Sequence, residues 1–174
     1  MHKINFIEDK HVDAVLDKKL IDAISTCFPE QPVFKEKRYF KEMPPYRWFI
    51  EENDRIIAHA ALHIKTITVG DKKVDIGGVA EVCVLPDYRG QSLAKLLLKE
   101  IDKWLIEHHY KYAMLFGKTS VYTSSGYFDI QNEIKYVDYK TNEIKIEKNI
   151  EAMVKLLSPE PWLTGTVDLN GPTF

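Results

Sequence analysis

Cysteine is scarce. Cys27 and Cys83 are the only two in 174 residues, too few for a disulfide framework and without the spacing of metal ligands. The expectation is two unpaired thiols in a reducing cytoplasm, and no metal. No run approaches the roughly 20 apolar residues that cross a bilayer. Met1 to Lys10 is charged and mixed, without the apolar core of a signal peptide. A membrane partner is therefore not expected. Basic surplus is missing as well: 24 Lys and Arg against 26 Asp and Glu give a formal charge of -2. Nucleic acid is thus excluded as the main partner, since no basic patch or aromatic-basic interleaving offers a phosphate-binding face. A small anion held by backbone amides stays compatible. Repeats, low-complexity tracts and Gly/Ser linkers are absent too. With 45% hydrophobic and 29% charged residues, the composition is that of one globular domain over residues 1–174.

What is present reads as helices and strands in alternation. Val12, Val15, Leu16, Leu20 and Ile24 fall on one face of a helix from Val12 to Cys27, which Pro29 stops. The charged stretch Lys35 to Glu42 is read as a second short helix before Pro44 and Pro45. The period then changes. Arg47 to Glu51 and Ile56 to Val69 read as strands around the polar turn Glu52-Asn53-Asp54, and Gly70-Asp71 is a second hairpin signal. Val79 to Leu85 is the most strand-like segment, ended by Pro86. Leu93, Leu96, Leu97, Ile101, Trp104 and Leu105 then form the apolar stripe of a long helix. Tyr112 to Phe116 is a short strand, followed by a compact turn around Gly126. Ile130 to Tyr139 and Glu143 to Glu147 read as strands, and Glu151 to Leu157 as a short helix. Pro159 to Phe174 is read as an irregular tail, docked through Trp162, Leu163, Val167, Leu169 and Phe174. The order implies an α/β fold with a largely antiparallel central sheet flanked by helices and one central βαβ crossover.

The site-bearing segment is Val82 to Leu98, in which a strand runs through a short loop into a helix. The first amides of a helix lack intrahelical partners and carry the positive end of its dipole, so such a junction suits a pyrophosphate. Most helix N-termini nevertheless hold nothing, and on spacing alone the two readings are even. The run Val84-Leu85-Pro86-Asp87-Tyr88-Arg89-Gly90-Gln91-Ser92-Leu93-Ala94 resembles the acetyl-CoA motif of the GNAT superfamily of N-acetyltransferases. That motif is Arg/Gln-x-x-Gly-x-Gly/Ala, with Arg89 at its first position and Ala94 at its last. Ser92 stands where the family usually has glycine, which puts the permissive backbone, and with it cofactor affinity, in question. A second run, Leu115-Phe116-Gly117-Lys118-Thr119-Ser120-Val121-Tyr122-Thr123-Ser124-Ser125-Gly126-Tyr127, resembles the family's late strand and its Tyr-x-x-x-Gly-Phe/Tyr element.

The resemblance implies a GNAT-like fold, acetyl-CoA as co-substrate and transfer to an amine in a ternary complex. A lysine-like amine, with a pKa of about 10.4, must lose a proton before it attacks. The departing thiolate resembles cysteine at about 8.5, so a proton donor helps it leave. By its place before Gly126, the resemblance makes Tyr122 that donor. Glu81 interrupts an apolar strand, where a carboxylate is costly without a purpose. It is either the base, directly or through water, or a charge on a solvated sheet face. Period-two alternation places Glu81 with Cys83, and Val82 with Val84. The resemblance lays pantetheine along the backbone of Val82, Cys83 and Val84, which also supplies the oxyanion contact. Arg89, Gly90, Gln91, Ser92, Leu93 and Ala94 hold the pyrophosphate. Cys83 is read as a small buried hydrophobe rather than an acyl carrier. His59, His63, His108 and His109 show no ligand constellation.

The acceptor is expected to be a small-molecule or peptidic amine, met by Phe34 and Trp48 from the N-terminal segment and by Phe174 from the tail. Edge strands of the late sheet admit a homodimer. The competing reading is a non-catalytic CoA-binding or regulatory domain of the same fold. Ser92 favours it, while retention of Tyr122 and Glu81 speaks against it.

Overall fold

The computed structural model describes residues 2–174, which form ten strands and three α-helices. Packing groups the chain into two compact units, one built from residues up to His63 with Val79–Ile101, the other from Ile64–Gly78 with Asp102–Phe174.

In the first unit, β1 (Ile4–Glu8) pairs antiparallel with β2 (Tyr46–Glu52), from Ile4 opposite Ile50 to Glu8 opposite Tyr46. β2 pairs antiparallel in turn with the first half of β3 (Arg55–Val69). Asn53 and Asp54, both left-handed, make the tight turn between them. Helix α1 (Ala14–Cys27) is capped by Asp13, whose carboxylate accepts from the Leu16 amide at 2.8 Å. It buries Leu20, Ala23 and Ile24, whereas Val15, which the spacing put on the same face, is 67% exposed near the helix start. The unit also holds the end of β4 (Lys72–Val84) and the first turns of α2 (Leu93–Glu107).

In the second unit the sheet order is β6 (Phe128–Asp129), β9 (Ala152–Leu156), β5 (Tyr112–Phe116), β4, β3, β10 (Val167–Asp168), β7 (Ile134–Val137), β8 (Ile144–Glu147). Pairing is antiparallel except for β4 with β5 and β7 with β10. The parallel pair, Gly77 with Ala113 and Gly78 with Met114, is the βαβ crossover through α2. Ile67, Val69, Ile76, Tyr112, Met114, Val154 and Val167 form the core of this unit. Gly77 admits the Leu105 side chain, which a Cβ there would meet at 2.6 Å.

The architecture is the mixed, mostly antiparallel sheet with few helices that the pattern implied. Local readings are corrected at four places. Lys35 to Glu42 is no helix: only Pro32–Lys35 makes a 3-10 turn. The Phe40 amide, which a helix would spend on a carbonyl, donates to Glu81, and Arg38 is drawn to Asp9 and Asp17. Glu151 to Leu157 contains strand β9, not a helix. Its Ala152, Met153 and Val154 are all buried between β5 and β6, so the alternation that marks a strand is absent. The opening segment holds strand β1, too short and mixed to announce itself. β10 gives the tail two ladder residues where an irregular chain was expected.

Candidate active site

The loop after β4 is a 3-10 turn, Pro86–Tyr88, followed by Arg89, whose Nε donates to the Val84 carbonyl at 3.3 Å. Gly90 then takes φ +77° and Ser92 φ +60°, and α2 begins at Leu93. No atom lies within 4 Å of where a Gly90 Cβ would stand, so that glycine answers to conformation and open space rather than to packing. Leu96 is the first residue to close the helix, donating to the Ser92 carbonyl at 3.1 Å. The amides of Leu93, Ala94 and Lys95 therefore have no acceptor within α2 and aim their dipoles at the loop. Such a left-handed turn into a helix N-terminus fits a phosphate. Ser92 thus sits in the left-handed region that favours glycine, so the serine adopts it at the expense of strain.

Glu81 is not on a solvated face. Its side chain is 8% exposed and takes φ +52° inside β4, so simple alternation does not carry through it. Oε1 accepts from the Phe40 amide at 3.1 Å and Oε2 from Arg47 Nη1 at 3.2 Å. Burial pushes this carboxyl up to about 7, although the Arg47 charge, the Phe40 amide and the Arg47 hydrogen bond all pull it down. Arg47 is fully buried on β2. Its Nε donates to Asp9 Oδ1 at 2.5 Å, and its Nη1 also meets His59 Nε2 at 3.1 Å. His59 Nδ1 lies 3.0 Å from the Glu81 carbonyl. A carbonyl only accepts, so Nδ1 carries the proton and Nε2 accepts from the guanidinium. Burial, then the Arg47 charge, depress His59 to about 3, which keeps the ring neutral. Asp9 is raised by burial, but hydrogen bonds from Arg38 and Arg47 outweigh this and hold it below the usual carboxylate range. None of Asp9, Arg38 and Arg47 was singled out from the sequence, because charges distant along the chain show nothing of their convergence. An arginine and a histidine interrupting apolar strands were the available signal.

Cys83 is buried near the end of β4, and its thiol is pushed up by neighbouring Cys27 of α1 and by burial. Phe34 and Trp48 are each 4% exposed. Phe34 packs between Phe28 and Phe40, with centroids at 5.5 and 6.0 Å, and Trp48 lies 4.8 Å from Phe6. Among the described residues, no group of His, Cys, Asp and Glu gathers as a metal site, and no helix is long and apolar enough to cross a membrane.

In the second unit, Tyr122 closes the single-turn helix α3 (Thr119–Tyr122) that follows β5. Its ring lies on Gly117, where a Cβ would come within 2.4 Å. The Gly117 amide donates to the Glu151 carbonyl at 2.9 Å, and Thr119 Oγ1 reaches the Asp129 carboxylate at 2.7 Å. A 3-10 turn, Thr123–Ser125, ends at left-handed Gly126. Lys155 Nζ anchors that turn from β9, donating to the Ser125 carbonyl at 2.6 Å and to Asp102 at 2.5 Å. Phe174 packs edge-on to Phe116, with centroids 5.2 Å apart, and fills the space above Gly78.

The end of β4 thus combines a left-handed residue in the strand, a left-handed turn at Gly90 and Ser92, and a helix N-terminus. A family model described as an acetyltransferase (GNAT) domain matches residues 11–128, more than half of the chain. The chain belongs to the GNAT acetyltransferase family. The likeness extends to solved structures at low identity. A GNAT family acetyltransferase from Brucella melitensis in complex with acetyl-CoA is 16% identical, with TM-score 0.64, 96% of this chain and 96% of that one covered. The GNAT family N-acetyltransferase YhbS from Escherichia coli, in complex with CoA, is 17% identical with TM-score 0.62, at 97% and 91% coverage. A probable N-acyltransferase from Enterococcus faecalis is 14% identical with TM-score 0.60; 76% of this GNAT chain is covered but only 33% of that protein, about a third of its length. The sequence has no match among curated proteins.

Proposed function

We propose that this GNAT protein transfers an acetyl group from acetyl-CoA to a primary amine, by direct attack of the amine in a ternary complex. The observation that carries the reading is the loop from Arg89 to Ala94, where left-handed Gly90 and Ser92 lead into the free amides of α2. The Brucella melitensis and Escherichia coli relatives, solved with acetyl-CoA and CoA, support the same donor. Arg89, Gly90, Gln91, Ser92, Leu93 and Ala94 then hold the pyrophosphate, and the backbone of Val82, Cys83 and Val84 aligns the pantetheine arm. The bound donor supplies the thioester that the amine attacks.

Glu81 takes the proton from the ammonium, directly or through water. A carboxyl titrating at about 7 is matched to that task near neutrality. Tyr122 gives the departing sulfur its proton. For the acceptor, Phe34 and Trp48 back the first unit from within its packing, and Phe174 is a separate candidate in the second. The test combines thermal unfolding with release of free CoA thiol across a panel of amines. Acetyl-CoA at a hundred times its dissociation constant is expected to stabilise the fold by roughly 2.7 kcal/mol. With the amine that is turned over, Glu81→Gln is expected to lower kcat by about 10²-fold or more. Tyr122→Phe should lower it by about tenfold, since the thiolate leaves unaided at some rate. Stabilisation without thiol release from any amine would replace this reading with a non-catalytic CoA-binding domain.

A further inference from the structure

Glu81 is held from three sides by groups outside its own strand. Arg47 on β2 meets its carboxylate through Nη1, and the same nitrogen is shared with His59 on β3. His59 in turn grips not the Glu81 side chain but its backbone carbonyl, at the residue whose φ is +52°. The Phe40 amide meets the other carboxylate oxygen. Behind Arg47 stands Asp9, itself bound by Arg38. Cys83, two residues on along β4, is a further titratable neighbour.

We propose that Arg47 and His59 are positioning residues, which hold the Glu81 backbone in its left-handed turn and its carboxylate in the ionised, proton-accepting state. This rests on the reading of Glu81 as the base. The physical argument is geometric. A carboxylate leaving water needs a counter-charge and filled lone pairs, and Arg47 and the Phe40 amide supply both. A non-glycine residue in the left-handed region persists only where its surroundings over-determine it. The neutral His59 ring does this: it bridges guanidinium and carbonyl and fixes the distance between β2 and β4 at that point. Neither side chain needs to touch a substrate.

The test is a ¹³C titration of glutamate-labelled full-length protein, with the Glu81 signal assigned by its loss in Glu81→Gln, alongside pH profiles of kcat/KM. Arg47→Gln removes the cation that favours the carboxylate. The Glu81 midpoint is expected to rise by about one to two pH units, and the acidic limb of the rate profile to move with it. Where Arg47→Gln does not fold, the charge-balanced Asp9→Asn/Arg47→Gln variant gives the same readout. His59→Leu is expected to lower kcat about tenfold with KM for acetyl-CoA unchanged, and His59→Asn, which keeps an N–H near the Nδ1 position, to restore most of it. A Glu81 midpoint that stays in place in the folded Arg47 variants, or a His59→Asn no better than His59→Leu, overturns the proposal. A midpoint that moves while the acidic limb stays fixed upholds the positioning by Arg47 and removes Glu81 as the base instead.

Discussion

Ser92 holds φ at +60°, where an L side chain crowds the following carbonyl, at a cost of about 1–2 kcal/mol. Replacing it by glycine removes that strain but adds freedom to the unfolded chain. Ser92→Gly is expected to raise stability by about 0.5–1 kcal/mol in urea unfolding, with acetyl-CoA affinity equal or better. A loss of stability would show that the serine side chain, not the backbone state, matters at the helix start. The departure from the family's glycine was visible in the sequence; that the position keeps the glycine conformation was not, because a one-letter code carries no dihedral angle. Glu81 shows the same limit. Its type and its place in an apolar strand marked it, but whether it met water or Arg47 depended on residues 34 positions away.

Among elements, the turn carrying Tyr122 is held less by its own sequence than by β9. Lys155 bonds the Ser125 carbonyl and Asp102, and its side chain lies against Gly126. Burial raises the Asp102 carboxyl, and Lys155 opposes that shift. Lys155→Met strands a buried carboxylate and a carbonyl, and is expected to destabilise by about 1–3 kcal/mol in urea unfolding. Amide hydrogen exchange at Thr123 to Tyr127 should quicken more than that of β7 and β8. If destabilisation were uniform across the unit, the lysine would be a general core contact rather than an anchor of this turn. Helices α1 and α2 and strands β2, β3 and β5 were legible, since each carries its own period and its own stop signals. β9 was not, because a strand buried on both faces loses the alternation that identifies it. The segment Lys35 to Glu42 failed for the opposite reason: its local preference yielded to Arg38 and the Phe40 amide, which serve distant acids.

For the whole molecule, two buried groups make stability depend on pH in opposite senses. His59 ordinarily takes a proton near 6.5 but in the fold only near 3, so the unfolded chain binds that proton first. Its contribution is present above about pH 6.5 and is lost as pH falls toward 3. Glu81 ordinarily titrates near 4.5 but in the fold near 7, so the folded chain keeps its proton longer. Its contribution is present below 4.5 and is lost as pH rises toward 7. Between pH 7 and 5 the two oppose each other. Urea midpoints at those two pH values should separate them. Relative to the parent, Glu81→Gln is expected to lose more stability on acidification, and His59→Asn to lose less or to gain.

The sequence by itself determined the family, the order of the main helices and strands and the loop-to-helix junction after β4, because periodicity, turn residues and the Arg89 to Ala94 motif are local and survive in one dimension. Only the tertiary structure decided that Glu81 is buried, that Asp9, Arg38, Arg47 and His59 gather around it, and that Lys155 secures the turn of Tyr122. Burial and charge pairing arise between residues far apart along the chain, and it is their convergence, not their identity, that fixes how a side chain holds its proton.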